Sequence, residues 1–388
     1  MTTRTRIAVV LLSAPVLAFA VIGGLLGRTS AREETYPHLR VFDDVFSLTT
    51  GNYVESVDAD KLMHGAMHGL ADSLDADSAF LTAEQVKAVE SGVALPAGDV
   101  GIDLTRQYYL RVFAVREGSP ADKAGVRSGD FVRLIDRQPT REMSVWEGVR
   151  SLRGKPGTPV TLTLIRGNAA EPHVVELTRE VLAPLPPAAR MAAPGIGLVR
   201  LVEFSAQTPA ELRAAIVQLQ KGGARAVVID LRNTARGPLP SGIDAARLFV
   251  PTGTLALQET RGASRQTLTA AAGDGAITLP AALLIDVGTT GAAEVFAAAL
   301  SGNKRAELLG ERTGGRAALQ RLFKLPDGSA LWMSYASFLT PAGNPIHERG
   351  LQPDVAIEQP DVDFGAALPA GDATLDKAVE RLRPRISS

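Results

Sequence analysis

The stretch Ala226-Val-Val-Ile-Asp-Leu-Arg-Asn233 indicates the fold class of the chain. Its first four residues are apolar without interruption, which is typical of a strand in a parallel sheet whose two faces are both covered. A second run of this kind, Ala281–Val287, leads through a turn rich in glycine and threonine to a helix predicted over Ala292–Leu300. This alternation predicts an α/β region over residues 195–358, in which functional groups lie at the carboxyl ends of the strands.

The composition excludes several classes of function. The chain has 388 residues, with 41 basic and 42 acidic side chains and a formal net charge of −1. This balance excludes the basic surface of a typical nucleic-acid-binding protein, so no nucleic acid is expected as a partner. The absence of cysteine excludes disulfides, thiolate metal sites and a cysteine nucleophile. A hydrophobic fraction of 45% is sufficient for ordinary buried cores.

The amino terminus has the pattern of an export signal. Arg4 and Arg6 precede an uncharged run over residues 7–27, which is long enough to span a bilayer. Ala18-Phe19-Ala20 has the form of a cleavage site, but cleavage there would leave an apolar stub. We therefore expect residues 1–32 to be an uncleaved signal anchor, with a removed signal peptide as the alternative. Either interpretation predicts an extracytoplasmic body in the cell envelope, on the periplasmic side, and the anchor adds a contact with the membrane.

Residues 35–95 are predicted to form an N-terminal helical segment, because apolar residues recur there at helical spacing. His64 and His68 lie four residues apart on the second predicted helix, a spacing that can bind zinc. No glutamate follows the first histidine and no third ligand is evident, so we interpret the two as ordinary helix-surface or half-buried histidines. No metal and no cofactor are expected.

The pattern changes over residues 97–181, where short strands alternate with turns. Strands are predicted over Leu110–Val115, Phe131–Ile135 and Val160–Ile165. Ser119 and Ser144 each precede a short helical run and are predicted to be helix N-caps.

Three further segments complete the organisation of the chain. Residues 182–194 contain four prolines and are predicted to be a stiff linker. A helix is predicted over Thr208–Leu219, with Thr208 as its N-cap. Residues 359–388 are predicted to be a weakly ordered C-terminal tail with a short helix near Ala373–Leu382.

The region 97–181 resembles a PDZ domain. The resemblance rests on Gly98-Asp99-Val100-Gly101-Ile102, Gly118-Ser119-Pro120-Ala121, Ala124-Gly125-Val126 and Ser128-Gly129-Asp130. A PDZ domain captures a peptide C-terminus: main-chain N–H groups of a glycine-containing loop bind the carboxylate, and the peptide adds to the sheet as a strand. The resemblance implies that Val100, Gly101 and Ile102 form this peptide-binding loop. From these residues alone, the alternative is a glycine turn in any small β domain.

The chain from about residue 40 to residue 358 resembles the carboxyl-terminal processing, or tail-specific, protease family. The matching motifs are Leu74-Asp75-Ala76-Asp77-Ser78, where the family usually has Leu-Asp-Pro-His-Ser, and Asp230–Asn233, Gly310-Glu311, Leu325–Ser329, Thr340–Gly343 and Gly350–Asp354. The resemblance implies a mixed α/β fold. In it, a PDZ-like β domain is inserted between the N-terminal helical segment and an α/β protease-like domain of the crotonase-like type.

The resemblance also shows where this chain departs from a working catalytic site. The family cleaves peptides with a Ser–Lys dyad, in which a neutral lysine takes the proton of the serine. The nucleophile position corresponds to Gly291, which has no side chain, and the base position corresponds to Arg316. Arginine stays protonated in proteins and cannot act as that base. The glutamine that assists the dyad is retained as Gln320.

A third departure follows the strand that ends at Asn233. The family has Asn-Pro-Gly-Gly there and uses this turn to help build the oxyanion hole. This chain has Thr234-Ala235-Arg236-Gly237, so an arginine replaces one glycine of the turn. We expect Arg236 and Arg316 either to hold a substrate carboxylate or, more simply, to pair with a structural acid such as Glu294.

These departures predict a catalytically inactive member of the family, an extracytoplasmic pseudoprotease. Its expected partners are protein or peptide C-termini, bound by the PDZ-like domain, and it would serve as an adaptor or as a regulator of an active paralogous protease. The alternative is an active serine-type endopeptidase with a relocated nucleophile. Thr289 and Thr290 are the neighbouring hydroxyls, and neither has an evident base.

Overall fold

The computed structural model describes residues 35–167, 171–360, 362–366 and 371–386. The predicted anchor over residues 1–32 lies outside this range. The chain divides into two compact units, one ending at Gly69 and the other beginning at Leu70. Among the described residues, no helix combines the length and the apolar character needed to cross a membrane.

The secondary structure is given in chain order. The helices of the described chain are α1 (Thr35–Asn52), α2 (Ala59–Asp72), α3 (Ala83–Glu90), α4 (Pro120–Lys123), α5 (Val145–Leu152), α6 (Thr208–Lys221), α7 (Leu239–Ala246), α8 (Ala292–Gly302) and α9 (Ala373–Ile386). The strands are β1 (Ala79–Leu81), β2 (Gly98–Asp99), β3 (Ile102–Gln107), β4 (Tyr109–Val115), β5 (Phe131–Ile135), β6 (Gln138–Pro139), β7 (Pro159–Ile165), β8 (His173–Thr178), β9 (Glu180–Val181), β10 (Ala188–Ala193), β11 (Ile196–Arg200), β12 (Ala226–Asp230), β13 (Thr254–Thr260), β14 (Gln266–Thr269), β15 (Ala281–Ile285), β16 (Ala306–Gly310), β17 (Ala318–Lys324), β18 (Ala330–Leu339) and β19 (Val355–Ala356).

The first unit contains α1 and most of α2, both of which the apolar spacing predicts. From Pro37 onward, helix α1 buries no side chain deeply, and Leu39, Val45 and Leu48 are each more than half exposed.

The PDZ-like part of the second unit is a sheet in the order β3-β4-β5-β7-β8, with β6 beside β5. Its three sequence-predicted strands are confirmed to within one residue at their ends. Both predicted N-caps are also confirmed. The Ser119 hydroxyl accepts a hydrogen bond from the Asp122 N–H, and Ser144 forms a reciprocal capping box with Glu147 at the start of α5.

The α/β part is built on a sheet in the order β10-β11-β12-β15-β16-β19, parallel except for β10. Successive side chains of β12 and β15 point to opposite faces, and both faces are covered. Val227 and Ile229 pack in the core formed with α6, α7 and α8, whereas Val228 and Leu284 pack against α9. Burial on both faces explains the uninterrupted apolar runs of the sequence.

A second sheet in this part has the order β1-β18-β13-β14, with β17 also paired to β18. Strand β1 corrects the prediction of a helical segment over residues 35–95, because Ala79–Leu81 pairs antiparallel with β18. These three residues are apolar and fully buried, a pattern too short to distinguish a strand from a helical turn in the sequence.

Three other predictions need correction. The stiff linker over residues 182–194 is wrong in its second half, since Ala188–Ala193 pairs antiparallel with β11 despite its proline-rich flanks. Helix α6 begins at Thr208 itself and has Gln207 in the cap position, although the Thr208 hydroxyl does accept a hydrogen bond from the Ser205 N–H. The C-terminal tail ends in α9, which is longer than predicted and is packed against the parallel sheet.

The two ends of the PDZ-like insert meet each other. Strands β2 and β9 pair antiparallel, with Gly98 opposite Val181 and Asp99 opposite Glu180. The insert therefore leaves and rejoins the rest of the second unit at one place.

We predict that Leu382→Ala lowers the free energy of unfolding by about 3 kcal/mol, because it empties a fully buried site between α9 and the sheet. Leu185→Ala, the same change at a side chain 40% exposed, should change stability by no more than about 0.5 kcal/mol. Urea denaturation of both variants measures this. Equal effects would show that α9 does not contribute to the core.

Candidate functional site

The predicted catalytic positions lie together at the carboxyl ends of three parallel strands. The turn at Thr234–Gly237 follows β12, Gly291 follows β15 at the start of α8, and Arg316 lies beyond β16. A Cβ atom added to Gly291 would lie 3.9 Å from the carbonyl oxygens of both Ala235 and Arg316. The structure therefore brings together the three elements that the sequence marks as altered, at the edge where α/β sheets place their sites.

Gly291 occupies a strained strand-to-helix turn. Its φ of 61° and ψ of −120° favour glycine, although a Cβ would meet no atom closer than 3.9 Å. A tight turn of this kind is where hydrolases expose a nucleophile, but here there is no side chain to expose. The adjacent hydroxyls do not replace it: Thr289 and Thr290 are buried, and the Thr289 Oγ1 donates to the Leu231 carbonyl at 2.9 Å.

The buried carboxylate of Glu294 holds this edge of the sheet together. One oxygen accepts hydrogen bonds from the Thr313 hydroxyl and the Gly315 N–H, and the other accepts from the N–H groups of Gly291 and Arg316. Burial raises the pKa of Glu294, and these four hydrogen bonds oppose that rise. The side chain thus fixes the start of α8 against the loop that carries Arg316.

Arg316 is a structural cation rather than a proton acceptor. Its Nε donates to Asp77 Oδ2 at 2.9 Å, its Nη2 donates to Asp77 Oδ1, and its Nη1 donates to the Leu104 carbonyl at 3.1 Å. Burial opposes the charge on the guanidinium, but the Asp77 carboxylate outweighs it and holds the pKa of Arg316 above its usual value. Such a group cannot take a proton from a hydroxyl near neutral pH.

The partner of Arg316 was not predicted. The expectation of a structural acid is correct in kind, but the acid is Asp77, and Glu294 receives only the main-chain N–H of Arg316. A signal was present in the sequence, because Asp77 stands where the resembled family has histidine. Arginine at the base position and aspartate at this position are two departures that compensate each other in charge.

Arg236 points toward the PDZ-like part. Its Nη1 lies 2.8 Å from Asp99 Oδ2, and its Nε lies 3.0 Å from Asp103 Oδ2. Burial opposes its charge too, but the two carboxylates outweigh that effect and raise the pKa of Arg236. The neighbouring Gly237 has a φ of 123°, and a Cβ there would lie 2.1 Å from the Phe204 carbonyl oxygen, so this retained glycine is required by the close approach of the two chain segments.

The predicted peptide-binding loop has its main-chain groups in use. The side chains of Val100 and Ile102 are buried in the PDZ-like core. The N–H groups of Val100 and Gly101 both donate to Asp99 Oδ1, at 2.7 and 3.1 Å. The role of this loop in binding a peptide stays a prediction, and Asp99 is a residue that the sequence reasoning did not single out.

The remaining predicted site residue, Gln320, lies on β17. Its side-chain oxygen accepts a hydrogen bond of 2.9 Å from the Trp332 indole on β18. Next to the site, Asp286 Oδ1 accepts a hydrogen bond from the Asn233 N–H, and the Asp286 main-chain N–H donates to the Thr289 hydroxyl oxygen. Burial raises the pKa of the Asp286 carboxyl to about 6. Asp286 therefore ties the turn after β12 to the turn after β15.

A second buried acid lies beside Asp77. Asp75 Oδ2 is 3.4 Å from His347 Nε2. Burial would raise the pKa of Asp75, but His347, together with Ser334 and Ser78, outweighs burial and lowers that pKa. Burial likewise opposes the charge on His347, but Asp75, together with Asp77 and Glu348, outweighs burial and raises the pKa of the imidazole. The two groups therefore form an ion pair over the range in which both are charged.

His64 and His68 lie close to each other on α2. The ring centroids of His64 and His68 are 5.3 Å apart. In the part of the chain that the structure describes, no group of three or more acidic or histidine side chains is placed to hold a metal ion.

Comparison with known proteins identifies the architecture. A model described as peptidase family S41 matches residues 195–357, and a PDZ domain model matches residues 111–166. The chain is 35% identical over 277 residues to the carboxyl-terminal-processing protease of Synechocystis sp., which covers 70% of this chain and 65% of that protein. It is 31% identical over 340 residues to the carboxy-terminal-processing protease of Bartonella bacilliformis, which covers 86% of this chain and 78% of that protein.

The fold of the chain is also similar to that of a solved processing protease. A solved structure described as the photosystem II D1 C-terminal processing protease matches with a TM-score of 0.68 at 29% identity, covering 80% of this chain and 88% of that one. The chain belongs to the carboxyl-terminal processing protease family, peptidase family S41, and carries a PDZ domain. The mixed α/β fold with an inserted PDZ-like domain is thereby confirmed.

We predict that Arg316 and Asp77 are strongly coupled. Asp77→Asn should lower the free energy of unfolding by about 2 kcal/mol, because it leaves a half-buried guanidinium without its counter-charge. Arg316→Gln/Asp77→Asn should cost less than the two single changes together, by at least about 1 kcal/mol. The exposed pair Arg265 and Glu259, mutated to glutamines in a matched cycle, should show a much smaller coupling. Additivity at Arg316 and Asp77 would contradict a structural ion pair.

A second prediction concerns the pH dependence of stability. Because the pKa of His347 is raised, its pairing with Asp75 stabilises fully below the usual histidine value of about 6.5 and is lost as the pH rises through the raised pKa. The cost of His347→Gln should therefore be about 1 kcal/mol larger at about pH 5.5 than at about pH 8.5, measured by urea denaturation. Asp75→Asn should remove the same pH dependence. A cost independent of pH would refute the pairing.

Proposed function

We propose that this chain is a pseudoprotease, a catalytically inactive member of its family that binds peptide or protein C-termini as an adaptor or regulator. The observation that carries the proposal is the Arg316–Asp77 ion pair beside Gly291. A Ser–Lys site needs a hydroxyl and a neutral amine within reach of each other. These positions instead present a glycine with room for a side chain and an arginine that a carboxylate keeps charged.

The alternative of a relocated nucleophile finds little support around Gly291. The hydroxyls of Thr289 and Thr313 are buried, and both donate hydrogen bonds within the protein framework. Thr290 is also buried. A nucleophile must reach a substrate carbonyl and have a base beside it, and none of these hydroxyls combines exposure with such a partner.

The binding half of the proposal rests on the PDZ domain. Its loop carries main-chain N–H groups of the kind that bind a carboxylate, two of which donate to Asp99 Oδ1 in this structure. Strand β3 is the edge strand of its sheet, to which an extended peptide can add. An active paralogous protease is one partner that we propose for such an adaptor. We also propose an extracytoplasmic location in the cell envelope, supported by the basic and apolar pattern at the start of the sequence.

The proposed loss of catalysis predicts no peptide cleavage by the native chain. A fluorogenic peptide with an apolar, free C-terminus should be turned over no faster by the wild type than by Gly291→Ala, which also lacks a hydroxyl. Turnover by the wild type that Gly291→Ala leaves intact would overturn the proposal and support a relocated nucleophile. Purification of both proteins in parallel from the same protease-deficient host controls for contaminants.

Introducing a serine at position 291 and a lysine at position 316 tests whether Asp77 prevents catalysis. In Gly291→Ser/Arg316→Lys, the Asp77 carboxylate should pair with the introduced ammonium and keep it protonated, so activity should stay very low. Adding Asp77→His, the residue that the resembled family carries, removes this charge, and turnover should rise at least tenfold above the double variant. If the double variant is already as active as the triple variant, pairing with Asp77 is not what prevents catalysis at this site.

A further inference from the structure

Asp99 binds the very groups that a PDZ loop offers to a peptide. Its Oδ1 accepts hydrogen bonds from the N–H groups of Val100 and Gly101, at 2.7 and 3.1 Å. The side chain is only 3% exposed. A buried carboxylate held by successive main-chain N–H groups is the arrangement by which such a loop holds the C-terminal carboxylate of a ligand.

The other oxygen of Asp99 is bound by two arginines. Asp99 Oδ2 lies 2.8 Å from Arg236 Nη1 and 3.0 Å from Arg153 Nη2. Ion pairs with guanidinium groups are among the stronger polar contacts in proteins, particularly when the carboxylate is removed from water. Both oxygens of Asp99 are therefore satisfied without any ligand.

The edge strand beside the loop is held by the same two altered positions. Asp103 on β3 pairs with Arg236 Nε at 3.0 Å, and the carbonyl oxygen of Leu104 on β3 accepts a hydrogen bond from Arg316 Nη1 at 3.1 Å. The arginines at the former oxyanion turn and the former base position thus both contact the segment to which a peptide would add.

We propose that Asp99 is a built-in occupant of the carboxylate site of the PDZ domain and that Arg236 latches it there. This inference rests on the proposed binding of peptide C-termini and adds its regulation. A peptide carboxylate binds only when Asp99 leaves the N–H groups of Val100 and Gly101. The measured affinity is then the intrinsic affinity multiplied by the fraction of molecules in which Asp99 is displaced.

The occupancy of the loop can be tested without any peptide. Asp99→Ala removes the occupant, whereas Asp99→Asn keeps an oxygen that can accept from both N–H groups. Acetate, added at constant ionic strength against chloride, should raise the melting temperature of Asp99→Ala but not that of Asp99→Asn or the wild type, because only the first has an empty carboxylate site. Asp103→Ala, which removes the other acid on Arg236 and leaves the loop occupied, should also show no response. A response shared by all four proteins, or absent from Asp99→Ala, would refute the claim that Asp99 occupies the carboxylate site.

Peptide binding then separates this inference from the proposed function. A fluorescein-labelled octapeptide with an apolar tail and a free carboxylate should bind Asp99→Ala at least about tenfold more tightly than the wild type, while the amidated peptide shows no such gain. Equal affinities of the two proteins for the free-carboxylate peptide would refute the occupant and leave the proposed binding intact. An acetate response in Asp99→Ala with no peptide binding by any variant would support the occupant and refute the proposed binding.

Arg236→Gly provides a second route if Asp99→Ala fails to fold, as judged by circular dichroism. It leaves the loop sequence unchanged and removes one of the two cations that hold Asp99. Affinity for the free-carboxylate peptide and the acetate response should both rise, by less than in Asp99→Ala. If neither differs from the wild type, Arg236 does not latch Asp99.

Discussion

The geometry of the site depends on one buried carboxylate, that of Glu294. It accepts hydrogen bonds from the Gly291 N–H at the start of α8 and from three donors in the loop after β16. Without these four donors, a charge in this position would cost several kcal/mol. The loop and the helix are therefore fixed together.

On this fixed frame, the two arginines form structural ion pairs. Arg316 pairs with Asp77, and Arg236 is a cation that reaches the PDZ domain. Each arginine is only 21–27% exposed, and each is balanced by at least one carboxylate. Breaking such a pair on one side is costly, because it leaves a partly buried charge without its partner.

The sequence predicts the fold well wherever a local pattern of residues determines the element. The apolar runs that become β12 and β15, and the caps at Ser119 and Ser144, are local signals that tertiary contacts do not override. Local signals fail where partners are distant. Ala79–Leu81 is a strand only because β18 lies beside it, and proline-rich flanks hide the pairing of β10 with β11.

The site shows the same division. Gly291, Arg316 and Arg236 can be found by comparison with the resembled family, because each departs from a known motif. Their partners cannot be found in this way, because the pairing of Arg236 with Asp99 and Asp103 depends on how the insert packs. An aspartate that binds the main chain of its own loop leaves no trace in composition or periodicity.

The pairing of β2 with β9 has a consequence for the order of folding. All strands of the insert lie between Gly98 and Val181, which pair with each other. They have therefore all emerged before the later part of the parallel sheet is synthesised. Strand β1, by contrast, must wait for β18, since Ala79 pairs with Trp332. During synthesis the PDZ domain can therefore mature first, while the segment just before it remains unpaired until β18 has emerged.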